Sequence, residues 1–388
     1  MVLVSPSADF SGGGGAVGFR DVVVALRERR PDLDLVAVYP QKGAMEAECT
    51  RHGVRTEVAR IGWWMYGEGW RGRLRVPFIE ALVGVLVLPL GTAIVGALLL
   101  IDTVRAVLLL NRLRPTIVFT NTLTVAAHAI AAKLLGITHY WMVSEFGRDD
   151  FQLRFLFGYR RSMRLIGRLS ESVICSSHAI ERTLLEIDPT MATHIVYPVV
   201  DTPLGTPPER HPGEPLRVVL AGRFSPAKGQ QLAVQAVARA RKAGVDIELT
   251  LVGAGSQAPL RKLARRLGVE ELVTIHGPTD DLAPFWSAAH VGLMCSQCEG
   301  FGRVTVEAMR AGLPVCGTNA GATPEIIDAG VNGLLSPPGD SNTLAANLMA
   351  LESDEELRRK LAFGAVETAE RFQRVRHDDD ITAILGLN

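Results

Sequence analysis

Two carboxylates eight positions apart, Glu299 and Glu307, bracket the stretch Glu299-Gly300-Phe301-Gly302-Arg303-Val304-Thr305-Val306-Glu307. An apolar run from His290 to Met294 precedes it and reads as a short buried strand, and helical periodicity follows it through Ala308-Met309-Arg310. Glu299 then falls on the loop and Glu307 inside the helix. Between them Phe301, Gly302, Arg303 and Val304 lie at the helix start, where unpaired backbone N–H groups and the positive end of the helix dipole face outward. Such a junction could hold an anion on its amides and use the two carboxylates as acceptors for hydroxyls, one from a sugar and one from a ribose. Acidic residues also gather at helix starts for the dipole alone, so spacing by itself leaves both readings open.

A basic pair adds weight to the first. Ala221-Gly222-Arg223-Phe224-Ser225-Pro226-Ala227-Lys228-Gly229 follows one predicted strand and precedes a helix, so Arg223 and Lys228 can project from a loop rather than into a core. A leaving nucleoside diphosphate gains negative charge as its bond to a sugar breaks, and fixed cations stabilise that change more than they stabilise the bound ground state. The second glycine-rich loop, Ser11 to Gly18, spells G-x-G-x-x-G through Gly13, Gly15 and Gly18. A dinucleotide site also needs an acid at the C-terminal end of the next strand, and that end reads Tyr39-Pro40-Gln41, with Asp34 at the wrong end. Gly13, Gly14 and Gly15 are read instead as a close backbone approach to donor phosphates or acceptor, or as a tight turn with no ligand.

Along the chain that carries these loops, apolar runs alternate with amphipathic stretches. Val2 to Val4, Leu33 to Tyr39, Thr116 to Thr120 and Thr138 to Val143 read as strands, with Gly18 to Arg29 a helix among them. After the Pro-rich linker Asp201 to Pro208 a second series begins: strand Arg217 to Ala221, helix Gln230 to Ala243, strand Glu248 to Val252, helix Leu260 to Leu267 and strand Val273 to His276. The expectation is an α/β chain of two Rossmann-like, doubly wound domains facing each other across a cleft. Residues 1–200 would form the acceptor-side domain and 201–371 the donor-side domain, with a final segment at about 372–388 crossing back.

The segment from Glu299 to Glu307, with Glu325 to Ile327 and Gly330-Val331-Asn332-Gly333-Leu334-Leu335, resembles the donor-site block of retaining glycosyltransferases of family 4, which have the GT-B architecture. The resemblance is strong over most of residues 200 to 350 and looser before them. It implies transfer of a sugar from a nucleotide-diphosphate sugar to a hydroxyl acceptor, lipid-linked or glycan, as in bacterial-type glycan or glycolipid synthesis, with the anomeric configuration retained. It implies diphosphate binding by Arg223 and Lys228, a catalytic set of Arg223, Lys228 and Glu299, and base recognition by backbone near His276 and Gly277. No metal or cofactor is expected, because the basic pair and helix dipole replace the cation. Asp149-Asp150, Asp280-Asp281 and Asp378-Asp379-Asp380 do not follow apolar strands as metal-binding acids do, and Cys295-Ser296-Gln297-Cys298 lacks a second ligand pair. Many relatives carry a His where Glu145 stands here; Glu145 could orient the acceptor or cap the next helix. A sugar-nucleotide epimerase of the same architecture and a non-catalytic sugar or lipid binding protein are the competing readings.

Composition narrows the partners. Of 388 residues, Lys plus Arg and Asp plus Glu number 41 each, which gives no electrostatic footprint for nucleic acid. Residues 1–200 nevertheless carry 22 basic and 18 acidic side chains, against 19 and 23 in the remainder. Five scattered cysteines and an N-terminus that enters directly into Met1-Val2-Leu3-Val4 are read as a cytoplasmic protein in a reducing compartment. The run Ala81 to Ile101 has no charge, yet the strands on either side of it belong to one parallel sheet, which argues against a single crossing. Trp63, Trp64 and Trp70 lead into Arg71, Arg73 and Arg75, and Arg160, Arg164 and Arg168 repeat every four residues. These are candidate contacts with an anionic membrane surface, placing the protein peripherally on its inner face. The alternative for the apolar run is a hydrophobic acceptor groove or internal packing.

Overall fold

The computed structural model describes residues 1–9, 14–67, 77–150 and 152–387. Gly13, Trp70, Arg71, Arg73 and Arg75 lie outside the described residues. The chain divides into two units, Met1–Val199 with Val375–Asn388, and Val200–Arg374.

The first unit is built on strands β1 (Val2–Val4), β2 (Val36–Tyr39), β3 (Arg55–Val58), β5 (Ile117–Asn121), β6 (Thr138–Val143), β8 (Ser172–Cys175) and β9 (Thr193–Ile195). They form one sheet in the order β3-β2-β1-β5-β6-β8-β9, and every pair in it is parallel. Strands β1, β2 and β8 are buried along their whole length and β5 and β6 over all but their first residue, which is why these sequences are mostly apolar runs rather than alternating ones. The short strands β4 (Met65–Gly67) and β7 (Leu153–Phe155) pair antiparallel beside it. On one face, helix Gly14–Arg29 contributes Phe19, Val22, Val23 and Leu26 to a core shared with Leu3, Phe119 and Met142. On the other, Ala106 and Leu110 of the long helix Pro77–Leu113 pack with Ala131 and Ala132 of helix Ala127–Leu135 over Val2, Val4 and Val118. The run Ala81 to Ile101 is part of this long helix, and β3 and β5, which flank it in the chain, belong to the same sheet.

The second unit has β10 (Leu216–Ala221), β11 (Ile247–Val252), β12 (Val273–His276), β13 (Val291–Met294), β14 (Val315–Thr318) and β15 (Gly333–Ser336). They too are all parallel, in the order β12-β11-β10-β13-β14-β15. Helix Gln230–Lys242 packs on this sheet through Ala233, Val234, Ala236 and Val237, and helix Ser341–Ser353 through Leu344 and Leu348. The Pro-rich segment after Asp201 has no regular structure, but it is tied to its unit. The Gly205 N–H donates to the Arg310 carbonyl at 2.6 Å, and the Arg310 side chain donates back to the Thr202 carbonyl. Beyond Arg374 the chain rejoins the first unit, where Ile381 and Leu385 enter the core beside Leu26 and Leu35 and Arg29 pairs with Asp379.

In each sheet the strand order reverses once, between β1 and β5 and between β10 and β13. Loops leaving the C-terminal ends of those adjacent strands diverge, and a crevice opens there.

Candidate functional site

The second unit's reversal point is where the sequence-predicted residues converge. β10 lies beside β13, so the loop carrying Arg223 and Lys228 and the loop carrying Glu299 leave the sheet next to each other. Lys228 and Glu299, 71 positions apart, meet: the Lys228 ammonium donates to Glu299 Oε2 at 2.6 Å, and the Ser296 hydroxyl donates to the same oxygen at 2.8 Å. The Gln297 N–H donates to the Ala227 carbonyl at 2.9 Å, which fastens one loop to the other. Gly229 makes the approach possible. Its φ is +72, and a Cβ there would collide with the Cys295 carbonyl. The Glu299 carboxylate is largely buried, with 13 % side-chain exposure, while Lys228 keeps 35 %, so the cation can still reach an incoming anion. Arg223 is exposed on the same loop.

Glu307 occupies helix Arg303–Arg310, as the periodicity implied. Burial pushes its carboxyl above the usual carboxylate range, and the Arg303 guanidinium partly offsets the effect. A carboxylate so placed gains from any hydroxyl that donates to it. Gly302, with φ +92, is the residue before this helix. The Phe301 ring is buried against Phe372, 5.2 Å away in an edge-on arrangement, so it anchors the junction and only its backbone is left for a ligand. His276 ends β12 and its carbonyl accepts from the Gly253 N–H, while a Cβ on Gly277 would meet nothing within 4 Å.

One organising residue escapes a sequence reading. Gln230 is buried at the start of its helix, where its amide donates to the Arg223 carbonyl at 3.0 Å and the Gly222 carbonyl at 3.4 Å, and accepts from the Ser225 N–H. It thereby sets the course of the cationic loop. Its signal in sequence is only that of the first of two glutamines, Gln230 and Gln231, that open a helix.

The first unit's reversal point is arranged differently. Gly14 and Gly15 are the first residues of helix Gly14–Arg29 rather than a loop, and the Gly15 carbonyl accepts from the Asn121 amide at 2.8 Å. Asp34 pairs with Arg55 at the opposite end of the strand from any ribose site. Thr122, a β-branched residue at φ +63, follows β5 in the left-handed region that such residues avoid. Three side chains hold this loop: the Trp141 indole N–H donates to the Thr122 carbonyl, the Trp64 indole N–H to the Leu123 carbonyl, both at 2.7 Å, and Glu145 Oε1 accepts from the Leu123 N–H at 2.9 Å. Glu145 Oε2 also accepts from the Ser144 N–H. Glu145 therefore caps no helix; it bridges two strand-end loops. Burial pushes its carboxyl up to about 7, with nearby Asp150 adding to the shift and the N–H bonds opposing it.

The membrane-contact candidates separate. Trp64 is fully buried, with its ring edge-on to Phe155, and cannot touch a bilayer, because its indole is committed to the loop clamp. Trp63 is 51 % exposed. Arg160, Arg164 and Arg168 are exposed along helix Tyr159–Leu169, as their spacing implied, and Arg161 joins them.

With this geometry in place, the chain can be compared with known proteins. Residues 206–366 match the family described as glycosyl transferases group 1. D-inositol 3-phosphate glycosyltransferase of Streptomyces bingchenggensis is 34 % identical over 181 residues, covering 44 % of this chain and 39 % of that protein. N-acetyl-alpha-D-glucosaminyl L-malate synthase of Bacillus anthracis is 36 % identical over 152 residues, covering 39 % of this chain and 40 % of that one. The match thus spans about two-fifths of each of these relatives. In overall fold the chain is similar to Anabaena Alr3699/HepE, solved in complex with UDP, with a TM-score of 0.74 at 21 % identity and 99 % of both chains covered. It is likewise similar to the lipopolysaccharide outer core galactosyltransferase WaaB, with a TM-score of 0.74 at 17 % identity, covering 99 % of this chain and 98 % of that one. The two parallel-sheet, Rossmann-like domains are those of the GT-B fold class.

Proposed function

We propose that this protein is a glycosyltransferase that binds a nucleoside-diphosphate sugar on its second unit and transfers the sugar to a hydroxyl acceptor, lipid-linked or part of a glycan, with retention of the anomeric configuration. The observation that carries the reading is the contact of Lys228 with Glu299 in front of helix Arg303–Arg310. A cation, a carboxylate and the N–H groups of a helix start lie together at a reversal point, where an anion-bearing ligand is best held. The match of residues 206–366 to the group 1 glycosyl transferases and the UDP in the HepE complex support the same assignment.

In this reading Arg223 and Lys228 face the diphosphate, and the backbone of Phe301 to Val304 adds N–H donors. As the bond between the anomeric carbon and the phosphate oxygen breaks, negative charge grows on the leaving diphosphate, and the cations stabilise that charge more than they stabilise the bound donor. Glu299 accepts hydroxyl hydrogen bonds from the sugar and Glu307 from the ribose. Glu145, in the first unit, is the acceptor-side candidate through the loop it holds. The positive charge comes from side chains and backbone, so the proposed transfer proceeds without a metal ion.

A thermal-shift panel of UDP, GDP and ADP with their sugars tests the donor assignment. One nucleotide series should raise the melting temperature by mass action, and Lys228→Ala should abolish the shift. Transfer should persist in EDTA, and the product's anomeric configuration should match the donor's. Activity lost to chelation and restored by Mg²⁺ or Mn²⁺ would refute the metal-free reading, and sugar conversion without any acceptor would turn the assignment to an epimerase.

A further inference from the structure

Over Gly91–Leu113, the long helix is apolar on both sides. Its inner side, through Ala106 and Leu110, is packed on the first unit's sheet. Its outer side carries a bare ridge: Ile94, Leu100, Ile101, Val104 and Leu108 are 51 %, 71 %, 46 %, 60 % and 65 % exposed. Ile94, Ile101 and Leu108 are seven residues apart and Val104 lies between the last two, so these side chains follow one stripe about 21 Å long. A helix that is apolar all round normally has neighbours all round, and a contiguous exposed stripe of this kind marks a contact surface. By length and composition Gly91–Leu113 could cross a membrane. The sheet topology forbids a single crossing, because the strands on either side of this helix in the chain lie in one sheet.

Charge indicates what covers the ridge. Helices Pro77–Leu113, Ala127–Leu135 and Tyr159–Leu169 pack side by side. Over Gly91–Leu113 and the other two helices, Asp102 is the only carboxylate, and it is buried between Arg60 and Arg105, 3.4 and 3.6 Å from their nitrogens. The exposed cations of this layer are Arg105 and Arg112 at the end of the ridge, Lys133 on the middle helix, and Arg160, Arg161, Arg164 and Arg168 on the third. Strand β7 pairs with β4, which brings the segment after Trp63 to the start of the third helix; there Phe157 is 45 % exposed, 6.2 Å from the Trp64 ring. An apolar ridge with cations on the same helical layer and exposed aromatics near its border fits the interface of an anionic bilayer. A second copy of the chain would set these cations against one another.

We propose that the outer stripe of segment Gly91–Leu113 lies in the plane of an anionic membrane surface, Ile94, Leu100, Ile101, Val104 and Leu108 entering the headgroup–acyl boundary while the arginines of helix Tyr159–Leu169 meet lipid phosphates. This docking needs no nucleotide sugar, so its test is independent of the transferase reading.

The test is flotation of the full chain with phosphatidylcholine vesicles and with vesicles also containing phosphatidylglycerol. Wild-type protein should float with the anionic vesicles, weakly with the neutral ones, and less as salt rises. The combination Leu100→Glu with Val104→Glu should lower partitioning at least tenfold, and Arg160→Gln with Arg164→Gln and Arg168→Gln roughly a hundredfold. All five side chains are exposed, so melting temperatures should not move. If the glutamate variant misfolds, the arginine variant decides alone. Wild-type protein that fails to float, or variants that float equally well, would overturn the proposal. So would sedimentation equilibrium showing a dimer that the glutamate substitutions dissociate while flotation is unchanged, since the ridge would then be a self-interface.

Discussion

The two units share a topology and use its reversal point in different ways. In the second, the loops after β10 and β13 bring a lysine, a glutamate and a helix start together, and Lys228 stays partly exposed. In the first, the loops after β1 and β5 are bound to each other and to the core. Asn121 holds Gly15, and two indoles and a buried carboxylate hold Thr122 and Leu123. One crevice keeps charge available, whereas the other commits its polar groups to shaping backbone. Strand order creates the opening, and the hydrogen-bonding capacity left over after folding decides what the opening can bind.

The contrast can be broken most forcefully at the clamp. Trp64→Ala should cost about 3–5 kcal/mol in urea unfolding, since it removes a fully buried ring and a buried N–H partner. Neighbouring Trp63→Ala should stay within about 0.5 kcal/mol of wild type. Equal effects would mean that the loop does not depend on the indole. Next in size, Lys228→Ala should lower kcat by roughly a hundredfold or more with little change in melting temperature, because its proposed role is toward the ligand. Unchanged turnover would remove Lys228 from the site.

A pH series sharpens the comparison. The folded-state pKa of Glu145 lies above its unfolded value, so the native state binds the extra proton and stability falls as pH rises from the ordinary carboxylate range to about 7, then levels. The fall should amount to about 3 kcal/mol. In Glu145→Gln that component should vanish, which melting curves between those limits would register; parallel profiles for the two proteins would contradict the burial argument. The smallest effect belongs to Gln230→Ala, about 1–2 kcal/mol in stability from three lost hydrogen bonds. The freed cationic loop should raise the donor KM more than it lowers kcat.

Legibility followed the same division. Apolar patterning announced the strands: Val273–His276, which alternates, and Thr138–Val143, a nearly continuous buried run, fall where the sequence reading put them. The helix around Glu307 was equally plain, because 3.6-residue periodicity is a local property. Trp64 misled because an aromatic beside arginines looks alike whether it faces lipid or a loop carbonyl. Gly14 and Gly15 open a helix, a boundary that the glycine spacing did not announce. Gln230, Asn121 and the strained Thr122 had no local signature, since their partners come from backbone groups elsewhere in the chain.

By itself, the sequence determined the alternation of strands and helices, the apolar character of the long helix, and the residue types from which a diphosphate-sugar site could be assembled. Those are properties of neighbours along the chain. The packing of the folded chain is what sets β10 beside β13 and closes 71 residues of separation to the 2.6 Å contact between Lys228 and Glu299. It alone turned Trp64 and Glu145 inward and left Ile94, Ile101 and Leu108 facing out. Strand order and burial arise from the packing of the whole chain, and no window of residues contains them.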